Sequence, residues 1–279
     1  MTMVMIDEAS YQAHAWTAAA LRAAGILVAA VKCTEGTGYV NPDYGWQVGE
    51  CRGAGVVVIH YHLARYGQAV TEAQYFHASS DVRQGELVML DNEAALITAL
   101  PSASASAWVA DWGGEVKGLT RAPAVVEYTS TGPVAGGYLD SVKGKEPLFA
   151  AILGADPAVQ PPPVDGWMVS FLQYGVRPSP GGGQTDADSA FFVTMAELAK
   201  LAVPAAGPVR HVAGAGLPSL EAVAAQAGTT AAAITAESEV KLSPLNLAVF
   251  RAYLALAAAM GAAGMPAPGV PEGMVYWTP

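Results

Sequence analysis

Short apolar runs recur along the chain, and each stops at polar residues. Val4 to Ile6 ends at Asp7, and Ile26 to Val31 ends at Lys32, with Glu35 just beyond. Val56 to Ile59 ends at His60, Tyr61 and His62; Leu87 to Leu90 ends at Asp91 and Glu93; Ala124 to Val126 ends at Glu127 and Tyr128. Leu148 to Leu153 is a sixth run. Trp167 to Leu172, followed by Gln173 and Tyr174, is a seventh, and Asp186 and Asp188 lead into Phe191-Phe192 as an eighth. Apolar runs without alternation read as strands buried on both faces, as in a parallel sheet. The first five lie far enough apart for a crossover helix between neighbours. Helices are predicted over Ala13–Ala24, with Gly25 as its C-cap, over Tyr44–Ala54 and over Thr71–Ser80. Beyond the fifth run the spacing shortens, which leaves room for hairpins or short connections. Gly181 to Gly183, with Pro178 and Pro180, reads as a turn between the last two runs.

This alternation predicts an α/β fold with a parallel sheet, either barrel or open. Eight strands with acids at their C-terminal ends favour the barrel, where chemistry gathers at that end from several strands. An open nucleotide-binding sheet carries a glycine-rich turn after its first strand. Here Asp7-Glu-Ala-Ser10 occupies that place, and Gly36 and Gly38 lack a third glycine.

Composition narrows the function. With 52% hydrophobic and only 14% charged residues, the chain has ample material for a core. A net charge of -10 argues against a nucleic-acid partner, whose phosphates demand a basic surface. Cys33 and Cys51 match no zinc motif and no disulfide framework, so both read as buried free thiols. His60 and His62 share a strand face, but two ligands without a third make no metal site. No cofactor or metal is expected. No signal peptide is expected either, since Met3 to Ile6 is too short and lacks a basic start. The most membrane-like stretch, Leu245 to Met265, contains Asn246 and Arg251 and reads as a buried helix, so stable membrane association is not expected.

Asp91 and Glu93 carry the most informative chemistry. Two residues apart on a strand, they share a face, with Cα atoms about 6.6 Å apart. Glycoside hydrolysis needs such a pair, one carboxyl to protonate the leaving oxygen and another to stabilise or activate. Solvated acids at a strand end are the plain alternative on this stretch alone.

Four polar strand ends combine into a longer pattern. Ile6-Asp7-x-x-Ser10-Tyr11-Gln12, Val31-Lys32-x-Thr34-Glu35-Gly36-Thr37-Gly38-Tyr39-Val40-Asn41-Pro42, Tyr61-His62-x-Ala64-Arg65 and Leu90-Asp91-x-Glu93 resemble glycoside hydrolase family 25, the lysozymes (muramidases) of bacteria, fungi and phages. The resemblance runs over residues 4 to 195, and Asp186-x-Asp188 matches its closing acidic motif. It implies a TIM-like barrel of five strand–helix units followed by three strands, here residues 1–203. It implies Glu93 as general acid, Asp91 as the acid assisting the transition state, and Asp7 and Asp188 as further acids in the cleft. Tyr61, His62, Tyr128, Asp186 and Gln173 are implied substrate contacts. Lys32 and Glu35 read as a structural ion pair. Crowded like charges raise the pKa of a member of such a cluster. The chain departs from the family at Glu8 and Ala9, at Leu172 in place of Trp, and in the sixth strand, which lacks a Tyr. These departures thin the aromatic lining.

Residues 204–212 read as a linker. His211-Val-x-x-Gly214 and Ser219-Leu-x-x-Val223-Ala224-x-x-x-Gly228-x-Thr230-x-x-x-Ile234, with Pro271 to Pro279 as a closing strand, resemble a LysM module, a small α+β unit that binds N-acetylglucosamine polymers. The tail, residues 213–279, is then a wall-binding domain with a helical insertion. Its alternative is a helical cap through which the chain forms a homo-oligomer. The resemblance implies hydrolysis of the β-1,4 bond between N-acetylmuramic acid and N-acetylglucosamine in peptidoglycan glycan strands. It further implies a phage endolysin held in the host cytoplasm until a holin releases it to the wall. A non-catalytic, virion-associated peptidoglycan-binding protein that keeps the barrel, or a different glycosidase, remain as rival readings.

Overall fold

The computed structural model describes residues 2–204, apart from 13, 181–182 and 192–193. The linker beyond residue 204, the LysM-like tail and its proposed oligomer contact lie outside the described residues. So does most of the Gly181 to Gly183 turn.

Nine strands form one sheet: β1 Thr2–Glu8, β2 Val28–Glu35, β3 Tyr39–Val40, β4 Val57–Leu63, β5 Leu87–Asp91, β6 Val125–Ser130, β7 Leu148–Ala151, β8 Val169–Pro178 and β9 Gln184–Phe191. β1, β2, β4, β5, β6, β7 and β8 pair in that order, each parallel to the next. β9 lies antiparallel between β8 and β1, and because β1 also pairs with β2, eight strands close into a barrel. β3 is a short antiparallel appendage on β2, which the apolar runs did not announce.

The helices are α1 Ala18–Ala23, α2 Tyr44–Ala54, α3 Ala69–Ser79, α4 Ala94–Ile97, α5 Ser102–Thr120, α6 Thr131–Ala135 and α7 Met195–Leu198. α1 begins later than alanine propensity alone predicts. The Thr17 hydroxyl caps it by accepting from the Ala20 N–H at 3.2 Å, which fixes the first turn there. Gly25, at φ +67°, takes the left-handed conformation that ends it. α2 has the predicted bounds. α5 buries Ala105, Val109, Trp112 and Val116, one stripe at helical spacing, and lies beside α3. Between β7 and β8 the chain forms no helix, and β8 and β9 form a hairpin, in keeping with the shortened spacing.

Alternation along each strand sorts the buried side chains into two layers. Ala29, Val31, Val58, Val88, Leu90 and Val125 face outward against the helices. Met3, Met5, Ile59, Met89, Phe149 and Phe171 fill the barrel, so its lower part is a packed core with no pore. Leu198 and Ala202 pack into this inner layer from below. Val203 accepts from the Gly85 N–H at 2.9 Å and donates to the Glu86 carbonyl at 2.8 Å, which ties that closing segment to the start of β5. The apolar filling stops at the C-terminal ends of the parallel strands. There the inward positions become Asp7, Lys32, Tyr61, Asp91, Tyr128 and Gln173.

Candidate active site

Each acid reaches this end of the barrel through the register of its strand. Asp7 closes β1 and stands opposite Asp186 of β9, while Asp188, two residues deeper, stands opposite Met5 and Gln173. Paired residues on neighbouring strands share a face, so all three point inward. Asp91 ends β5 opposite Leu63 on one side and Tyr128 on the other. Glu93 follows at the N-cap position of α4 with its side chain exposed and no capping hydrogen bond to that helix.

Burial and mutual repulsion dominate the electrostatics. Burial first, then the charges of Asp186 and Glu93, push Asp7 up to about 8, against a hydrogen bond from Tyr61 and the charge of Lys32. Asp91 is raised well above the carboxylate range by burial, then by Glu93 and Asp7. Asp188 is raised by burial, then by Asp7 and Asp186. Burial also raises Asp186, which sits at the rim with intermediate exposure. Neither Asp188 carboxyl oxygen has a hydrogen-bond partner, and Asp91 Oδ1 has none. Burial and mutual repulsion therefore both work against ionising every carboxyl of the cluster at once.

Lys32 is the cation that works against this repulsion at Asp7 and Asp91. Glu35 Oε2 accepts from its Nζ at 2.7 Å, and the ammonium lies 5.4 Å from the Tyr39 ring centre. Arg65 pairs with Glu35 from the other side. The Lys32–Glu35 ion pair expected from the sequence is thus present. Tyr128 donates to Gln173 Oε1 at 2.8 Å and packs edge-on against Phe149, which makes a fixed aromatic wall beside Asp91. Tyr61, buried, is bonded to Asp7.

His62 is a correction. The sequence placed it among the substrate contacts, but its ring points away from the lumen and is fully buried. Its Nδ1 shares a hydrogen bond with Thr34 Oγ1 at 2.8 Å and its Nε2 one with Glu72 Oε2 at 2.9 Å, and it stacks on Trp112. The reason is parity. Tyr61 faces in, so its neighbours His60 and His62 face out. His60 bonds Tyr44 and Glu86 in the same outer layer. Among the described residues, no group of three or more His, Cys, Asp or Glu is placed to hold a metal ion.

The structure brings Asp7, Asp91, Asp186 and Asp188 into one electrostatic cluster with Glu93, with Tyr61, Tyr128 and Gln173 on the walls. Sequence reasoning missed Arg177, whose charge works against the upward shift at Asp188. It also missed Asn92, Tyr66 and Glu127, which surround the Asp91–Glu93 segment from outside. Glu127 was visible as a charged residue on an apolar run, and Asn92 as an outward-facing polar residue between two inward ones.

A closed barrel with several carboxyls converging at the C-terminal ends of its strands is the layout of a glycoside hydrolase. The family model described as Glycosyl hydrolases family 25 matches residues 6–176, and the chain belongs to that family. No curated protein matches the sequence. Among solved structures, a bacterial lysozyme from Streptomyces coelicolor is similar over 72% of this chain and 96% of its own, with 23% identity and a TM-score of 0.64. A family 25 lysozyme from Aspergillus fumigatus covers 72% of this chain and 99% of its own at 23% identity and a TM-score of 0.60. The catalytic domain of the endolysin ply40, from bacteriophage P40 of Listeria monocytogenes, covers 72% and 98% at 16% identity and a TM-score of 0.56. At these identities the likeness is one of fold.

Proposed function

We propose that the chain is an N-acetylmuramidase that cleaves the β-1,4 bond between N-acetylmuramic acid and N-acetylglucosamine in peptidoglycan. The observation that carries this reading is the contrast between an exposed Glu93 and the buried aspartates beside it. Glu93, at the rim, reaches a glycosidic oxygen and donates the proton that lets the leaving sugar depart. Asp91, two residues back on the same face, supports the sugar's acetamido group or the positive charge that grows at the ring. Without substrate, the carboxyl cluster is held together against repulsion. An oxocarbenium-like transition state relieves that repulsion more than the neutral ground state does, which is the differential binding that accelerates a reaction. Asp7, Asp186 and Asp188 contribute to the same field, and Tyr61, Tyr128 and Gln173 form the sugar-binding wall.

We further place the protein as an endolysin-type lysin that acts on a host cell wall, with residues 213–279 as a LysM-like wall-binding module. The ply40 catalytic domain supports the first point by its fold, and the spacing of Gly214, Ser219, Gly228 and Thr230 supports the second. The test is clearing of purified peptidoglycan by the full chain, with mass spectrometry of the released ends. New reducing N-acetylmuramic acid ends are expected from the native chain. Glu93→Gln should lower the rate at least ~10²-fold with the fold retained. No clearing on any wall tested, or release of N-acetylglucosamine ends or free amino groups instead, defeats the reading.

A further inference from the structure

The segment that carries Asp91 and Glu93 is held from behind. Asn92 lies between them, and alternation turns its side chain out of the lumen into the layer under the helices, where it is fully buried. All of its polar groups are engaged. Its Nδ2 donates to Glu127 Oε2 at 2.9 Å and, more weakly, to the Leu90 carbonyl at 3.4 Å. Its Oδ1 accepts from the Tyr66 hydroxyl at 2.9 Å. Its backbone N–H donates to the Tyr128 carbonyl at 2.9 Å, and its carbonyl accepts from Thr129 Oγ1 at 2.7 Å. Tyr66 is itself fixed by Trp108, with ring centres 4.8 Å apart, and holds a left-handed backbone at φ +57°.

We propose that the Asn92–Glu127–Tyr66 cluster is a positioning device that sets the direction of Glu93 relative to Asp91. The Glu93 side chain makes no capping bond to α4; its main chain is held on one side by the Leu96 and Ile97 N–H groups, which donate to its carbonyl at 2.9 and 3.0 Å, and on the other by the anchored Asn92. A neutral acceptor suits the place behind Asn92. Burial raises Glu127 well above the carboxylate range, which disfavours a charge behind a site already crowded with acids. The three residues do not touch the substrate region. They act through the backbone of Asp91 and Glu93.

This inference rests on the muramidase reading, and the assay separates the two. Turnover of soluble, uncrosslinked peptidoglycan strands is measured for the full chain and for Asn92→Ala, Glu127→Gln, Glu127→Leu and Tyr66→Phe, each checked by near-ultraviolet circular dichroism. Displacing a proton donor by about 1 Å costs on the order of 10²-fold in rate. Asn92→Ala and Glu127→Leu should therefore lower kcat 10- to 100-fold with KM within twofold. Glu127→Gln, which keeps a neutral acceptor for Asn92, should restore kcat to within threefold of the native chain. Tyr66→Phe, which removes one bond, should lower kcat several-fold. In Asn92→Ala the pH–rate limb should also move to lower pH, because Glu93 no longer sits where it raises Asp91. If Asn92→Ala does not fold, Tyr66→Phe decides. An unchanged kcat in a folded Asn92→Ala or Tyr66→Phe, or equal losses in Glu127→Gln and Glu127→Leu, overturns the positioning role. A native chain that turns over no strands overturns the reading beneath it.

Discussion

Replacing Glu8 by Gln removes a buried carboxyl without changing the shape of β1. Glu8 faces outward near Cys51, is 1% exposed, and leaves Oε1 without a partner. Burial, then the charge of Asp7, pushes its pKa from 4.5 to about 8. A carboxyl whose folded pKa is raised favours the folded state below its unfolded pKa and loses that contribution as pH climbs through the folded one. Each pH unit between these limits changes stability by about 1.4 kcal/mol. Native Glu8 therefore lowers stability at pH 7, relative to pH 4, by about 3 kcal/mol, and above pH 8 by about 5 kcal/mol. Gln at position 8 does not titrate. Urea unfolding of both chains from pH 4 to 9, followed by the fluorescence of buried Trp16 and Trp112, should show the variant gaining on the native chain at that slope between pH 4.5 and 8. A packing penalty of the amide appears only as a constant offset. A difference that stays flat across this range refutes the argument, because Glu8 would then ionise alike in both states.

Glu86 should behave with the opposite sign. Despite burial, bonds from Arg52 and His60 hold it down to about 2. Glu86→Gln should cost about 3 kcal/mol at pH 7, and the difference should fade as acid titration passes from 4.5 through 2. His62→Phe should lower stability by about 2 kcal/mol, since Glu72 and Thr34 lose a partner, while KM stays within twofold; a several-fold rise in KM would restore His62 to the substrate wall. Cys33 and Cys51 are free and buried, and burial raises both thiols, Cys33 to about 12. In the folded chain neither should react with a thiol reagent within an hour at pH 8, whereas both should react at once in denaturant.

The apolar runs announced the barrel because both faces of its strands are buried, which erases alternation and leaves continuous Val, Ile and Leu. The acids at 7, 91, 93, 186 and 188 were legible for a related reason. A charge that ends a buried strand stands out against what precedes it. Direction was less legible. His62 sits beside Tyr61 in the sequence, but only the register of β4 tells which of the two faces the lumen. Glu8 and Glu127 show the same limit. Both sit at the polar end of an apolar run, and their outward burial depends on what the helices place over them. The start of α1 turned on a single hydroxyl, Thr17, inside a stretch that alanine content reads as helix throughout.

The antiparallel strand β9 completes the barrel by pairing with β1, across nearly the whole length of the described chain. Contacts so distant in sequence are slow to form, since the intervening chain must be ordered first. During synthesis, β1 has no partner on that side until the β9 residues have been made. Asp186 and Asp188 ride on β9, so the carboxyl cluster comes together only as the barrel closes. The repulsion that Asp186 and Asp188 add against Asp7 then arises only when β9 pairs with β1. A nascent chain that has not yet closed is also a chain without an active site.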